Sequence, residues 1–182
     1  MVGLGTSCRD WGHMRLTWWL FVVLGCTDGT DTVTELEQQC AGEVGEPTAW
    51  LGTGAGGLFE ELPLDAEVGL DVAPQGGFGV TVQVQTQGLR TDAPATVQLD
   101  TEIGGANSGS FTNEALFLFC RDDGRGTLGA GVAVGFDPDL YTSDNLDTLD
   151  GEVTDLVVRV TDERGVSATT RQTVTITLGG NP

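Results

Sequence analysis

Six acidic side chains fall within sixteen residues, at Asp137, Asp139, Asp144, Asp147, Asp150 and Glu152, with Asn145 among them. Carboxylate, amide and backbone oxygens are the donors that a hard cation takes, and calcium uses about six to eight of them. Asp137, Asp139, Asp144, Asp147 and Asp150 are therefore the candidate calcium ligands. Their spacing follows neither an EF-hand loop nor a β-roll repeat. Asp and Asn also occupy turns because their side chains hydrogen-bond nearby backbone, so a solvated loop is the competing reading. A cation bound there would rigidify a long connection between strands.

Residue supply excludes more chemistry than it suggests. The chain has one histidine, His13, and no lysine, its eight basic residues all being arginine. From Cys26 onward there is thus no material for Ser-His-Asp or Cys-His nucleophiles, for Schiff bases, or for a lysine-bearing phosphate loop. A carboxylate pair for glycoside hydrolysis stays open in principle, but 27 acidic residues make close pairs inevitable and undiagnostic. No catalytic residue is assigned, and the chain reads as non-enzymatic. The glycines of Leu51-Gly-Thr-Gly-Ala-Gly-Gly57 lack a following lysine and a βαβ setting, and read as a turn. Trp50, Phe78 and Tyr141 are candidate platforms for a sugar ring. With 27 acidic residues against 8 basic ones, net charge -19, the surface repels phosphate backbones and anionic headgroups, so no nucleic-acid partner is expected.

The elements that must hold these residues are strands. Phe78-Gly-Val-Thr-Val-Gln-Val-Gln-Thr-Gln87 puts Phe78, Val80, Val82 and Val84 on one face and Gly79, Thr81, Gln83 and Gln85 on the other, a half-buried strand of period two. The same alternation marks Ala95 to Ile103, Leu156 to Val160 and Thr173 to Leu178. Further strands are expected over Glu67 to Ala73, Glu114 to Cys120 and Gly131 to Phe136. They are bounded by turn signals at Pro74 to Gly77, Asp122 to Gly124 and Asp137 to Asp139. Leu116-Phe-Leu-Phe119 lacks alternation and reads as a central strand covered on both faces. Helical periodicity is absent beyond the N-terminal apolar run. Seven or more short strands, with 28 glycines, imply an all-β sandwich.

Leu16 to Leu24 is a nine-residue apolar run preceded by Arg9 and Arg15 and followed by Gly25-Cys26. It is too short to span a bilayer and has the layout of an export signal. Met14-Arg15 sits directly before the run and would by itself begin a compact signal, so Met14 competes with Met1 as the start. Val23-Leu24-Gly25-Cys26 resembles a bacterial lipobox. That resemblance implies cleavage before Cys26, diacylation of its sulfur, and a stable membrane anchor through the acyl chains. Thr27, where inner-membrane members often carry aspartate, points to an outer membrane, on its periplasmic face or at the cell surface. With Cys26 lipidated, Cys40 and Cys120 are the two cysteines left for an oxidising compartment. A disulfide between them is the economical reading, against two buried free thiols. The implied organisation is a signal peptide over 1–25, a flexible acidic tether over 26–38 and a β-sandwich over 39–180.

Two weaker resemblances bear on the sandwich. Asp155 to Leu178, turning at Asp162 to Gly165, resembles the last hairpin of bacterial immunoglobulin-like domains, which implies a single immunoglobulin-like antiparallel β-sandwich. Leu70-Asp-Val-Ala-Pro-Gln-Gly-Gly-Phe-Gly-Val80 resembles a Gly-Pro-Gln-Gly-Gly-aromatic-His-Val segment of uncharacterised secreted lipoproteins of myxobacterial type, with Ala73 and Gly79 replacing Gly and His. That family carries no activity over to this chain. The expected role is a lipid-anchored envelope or surface protein that binds a protein or glycan partner or serves structurally. The alternative is a calcium-dependent adhesion or carbohydrate-binding module; no other cofactor is called for.

Overall fold

The computed structural model describes residues 34–54, 58–72 and 77–178. The signal segment, Cys26 with the lipobox, the first part of the tether, the Ala55 to Gly57 part of the glycine turn and the Pro74 to Gly76 part of the next one lie outside the described residues.

The chain runs through a short helix α1 (Glu35–Cys40) and then β1 (Thr48–Thr53), β2 (Glu60–Glu61), β3 (Ala66–Gly69), β4 (Asp71–Val72), β5 (Phe78–Gln87), β6 (Ala93–Ile103), β7 (Ala106–Cys120), β8 (Gly126–Leu128), β9 (Val132–Gly135), β10 (Val153–Thr161) and β11 (Ser167–Thr177). The fold is all-β and sandwich-like. One hydrogen-bonded path orders the strands β2-β1-β5-β8-β7-β6-β10-β11-β3, and β4 and β9 add to β5 off this path. The path closes over a single core in which Val80, Val82 and Val84 of β5 and Leu51 of β1 join Leu99 of β6, Leu156 and Val158 of β10, and Ile176 of β11. Period-two alternation produces this, because each strand sends every second side chain to the same face.

Every strand pair is antiparallel except β3 with β11, which run parallel over Ala66 to Gly69. The expectation of a purely antiparallel sandwich is corrected at this edge. Parallel neighbours need a long crossover, and here nearly the whole domain lies between them. The β10–β11 hairpin turns at Asp162 to Gly165 as the sequence predicts: Asp162 N donates to the Val166 carbonyl at 2.9 Å and Gly165 N to the Asp162 carbonyl at 2.9 Å. Gly165 takes the left-handed conformation, φ 81°, that this turn needs.

Three local readings are corrected. Glu35–Cys40 is helical, so the last part of the 26–38 tether is ordered. Thr34 and Glu37 form a capping box, Glu37 N donating to Thr34 Oγ1 at 3.2 Å and Thr34 N to Glu37 Oε2 at 2.7 Å; the Thr-x-x-Glu spacing announces it. β5 is not half-buried, since Gln83 and Gln85 are covered as well as the valines. β7 is not covered on both faces: Leu118 is fully buried, while Phe117 and Phe119 are 40% and 45% exposed.

Candidate functional site

The aspartates of the acidic stretch lie between β9 and β10, around a short 3-10 helix (Leu146–Leu149) whose Leu149 plugs the core. All five are exposed. Asp137 Oδ1 accepts from the Asp139 N–H at 2.9 Å, and Asp150 Oδ1 accepts from the Leu178 N–H at 2.9 Å. Asn145 Oδ1 accepts from the Thr142 N–H at 2.6 Å while its amide donates to the Leu140 carbonyl at 2.8 Å. The carboxylate at 137 thus closes a turn of its own loop, as Asp does in connections generally, while that at 150 ties the loop to the end of β11. Among the described residues no three His, Cys, Asp or Glu side chains are grouped to hold a metal ion. The structure therefore does not bring Asp137, Asp139, Asp144, Asp147 and Asp150 together as one ligand set.

A more organised surface lies on the outer face of β1, β5, β8 and β7. Cross-strand register puts Trp50 opposite Gln85, Gln85 opposite Thr127, and Thr127 opposite Phe119. Partners in antiparallel register share a face, so these four side chains form one row pointing away from the main core. Gln85 Nε2 donates to Thr127 Oγ1 at 3.3 Å. Arg125 Nη1 donates to Gln85 Oε1 at 2.9 Å, and its guanidinium carbon stands 4.8 Å from the Trp50 ring centroid, within cation–π range. Gln85 and Thr127 are buried, and Arg125 reaches across to Gln85. Phe119, at the end of the row, packs against Phe117 with ring centroids 4.9 Å apart and planes tilted by 48°. Two exposed rings flanking a satisfied polar row give the face both apolar area and hydrogen-bonding capacity, the composition of partner-binding surfaces.

Of the expected sugar platforms, Trp50 belongs to this row with a guanidinium over it. Tyr141 packs edge-on against Phe136 with centroids 5.5 Å apart, and Phe78 begins β5 opposite Val72 of β4. The three rings do not make one platform. Phe117 and Phe119 were hidden in an unbroken apolar run, and only the position of β7 in the sheet turns them outward.

The opposite kind of organisation, covalent and fully satisfied, occurs where α1 meets the sandwich. Cys40 and Cys120, 80 positions apart in sequence, form a disulfide with Cα atoms 5.7 Å apart. The Cys40 carbonyl accepts from both Thr91 N and Thr91 Oγ1 at 2.9 Å, and Asp92 Oδ1 accepts from the Cys120 N–H at 3.2 Å. Nearby, Asp162, only 4% exposed, accepts from the N–H groups of Arg90, Arg164 and Val166 at 3.0, 2.9 and 3.0 Å. It also accepts from Arg164 Nε and Nη2 at 2.9 and 2.8 Å. Burial pushes its carboxyl up, but these donors outweigh burial and hold its pKa below the ordinary value. Arg164 Nη2 reaches on to the Gly42 carbonyl at 3.2 Å, joining hairpin turn, β5–β6 loop and N-terminal segment.

No protein-family model matches this chain, and no curated protein matches it. Among the described residues no helix is long and apolar enough to cross a membrane.

Proposed function

We propose that this chain is an exported bacterial lipoprotein, held on a membrane of the cell envelope by acyl chains on Cys26, whose sandwich is a non-enzymatic binding module. The observation that carries the reading is the Cys40–Cys120 disulfide. Disulfides persist in oxidising compartments, and this pairing leaves Cys26 as the one unpaired cysteine after the export signal, at the lipobox position. The outer face with Phe117 and Phe119 supports a binding role, and the absence of histidine and lysine beyond position 26 supports a non-enzymatic one. The calcium-dependent alternative would draw on the aspartates from Asp137 to Asp150, of which no three are grouped to hold an ion among the described residues.

Intact mass of the membrane-extracted protein tests the anchor. The expected species begins at Cys26, carries a diglyceride and acyl addition, and gains the mass of two hydrogens on reduction. A Cys26→Ala variant leaves the membrane fraction. An unlipidated mature chain, or one retaining residues before Cys26, overturns the proposal. Substituting Phe117→Ala with Phe119→Ala tests the binding face: partners cross-linked to the wild-type protein in intact envelopes are lost, and their retention refutes this placement.

A further inference from the structure

We propose that the Cys40–Cys120 disulfide is a reducible clamp that sets the length of free chain between the sandwich and its anchor; the consequence for reach rests on the lipoprotein reading, while the clamp itself does not. α1 precedes every strand, and none of its residues is buried. A helix of six residues is far below the length at which a helix persists alone. Its attachments gather at its C-terminal end. The covalent and hydrogen-bonded ones are the disulfide, the two hydrogen bonds from Thr91 to the Cys40 carbonyl and the one from Arg164 to the Gly42 carbonyl, beside which Gln39 lies against Gly124 and Gly45–Glu46 against Gln87–Gly88. Nothing apolar in residues 34–47 enters the core. With the covalent link gone, three hydrogen bonds must order a segment that buries no side chain, and chain entropy favours release.

Both half-cystines are partly exposed, so a thiolate reaches the sulfur. The reductant is a dithiol. One thiolate attacks a sulfur of the protein disulfide and expels the other as a thiolate that takes up a proton. The second thiol of the reductant then displaces the mixed disulfide. The protein gains two electrons and two protons as two thiols, and the dithiol becomes a disulfide. Released, the six residues 35–40 extend to at most about 22 Å, against roughly 9 Å as a helix, and residues 41–47 are freed with them. Oxidation therefore ends the free tether at Cys40, and reduction lengthens it to the start of β1.

Limited proteolysis of the full-length mature protein in detergent, with a glutamate-specific protease and with or without dithiothreitol, tests the clamp. Reduction is expected to raise cleavage at Glu43 and Glu46 by about tenfold or more, as the open population grows, while β6, β7, β10 and β11 stay uncut. The Cys40→Ser, Cys120→Ser double variant behaves the same without reductant. Unchanged cleavage overturns the proposal. Cleavage spreading through the strands overturns it too, because the disulfide would then hold the whole domain together. Since lipid plays no part in this readout, failure of the anchor leaves membrane partition altered and the proteolysis pattern intact.

Discussion

Replacing Asp162 by alanine removes an acceptor that serves five donor groups at 2.8 to 3.0 Å from a carboxylate 4% exposed. The N–H groups of Arg90, Arg164 and Val166 lose their acceptor together, and each such loss costs about 1 kcal/mol or somewhat more. The Arg164 side chain is 32% exposed and recovers most of its hydration, so its two bonds add little. A loss of about 3 kcal/mol follows, which lowers the melting temperature of a domain this size by roughly 6–12 °C. Urea denaturation followed by tryptophan fluorescence measures it, with Glu163→Ala as a neighbour expected to change little. The pH dependence has a definite sign. The Asp162 pKa is lowered from an ordinary 3.8, so its contribution is complete above that value and is lost as pH falls through the lower folded value. The stability gap between wild type and variant therefore holds at neutral pH and narrows in strong acid. A variant within about 1 kcal/mol of wild type at neutral pH would refute the assignment of Asp162 as the satisfied hub of this turn.

Calcium or a chelator is expected to leave the melting temperature unchanged, since the aspartates from Asp137 to Asp150 are not grouped around a site; a clear calcium-dependent rise sinks that reading. Gly109→Ala places a Cβ against the Gly135 carbonyl oxygen and close to Thr101, so strands β7 and β9 must part, at about 1–3 kcal/mol, read from the shift in denaturation midpoint. Arg171 bridges Glu102 and Asp155, each at 2.8 Å, yet is half exposed. Its removal is expected to cost no more than about 1 kcal/mol, less in high salt, and a salt-independent loss of several times that size contradicts it.

Strand existence and the hairpin turn were legible because they are local. Val80, Val82 and Val84 face the core by alternation alone, and Asp162-Glu-Arg-Gly165 carries its own turn chemistry. The capping box at Thr34 was equally local, but it hides in a polar stretch where nothing apolar marks a helix. The aspartates from Asp137 to Asp150 show the converse. Their number invites a cation, yet in the folded chain Asp137 serves an N–H of its own turn and Asp150 the N–H of Leu178 after β11. Sequence proximity does not make carboxylates converge, since convergence depends on the path of the loop between them.

Strand periodicity, the all-β class and which cysteines were available to pair could be read from the chain alone, because these follow from side-chain spacing and residue supply. That Gln83 and Gln85 are covered, that Phe117 and Phe119 are turned outward, and that β3 lies parallel to β11 emerges from the folded chain. Each depends on which strands become neighbours and what lies over them. Residues far apart in the chain settle that, through contacts that no local pattern records.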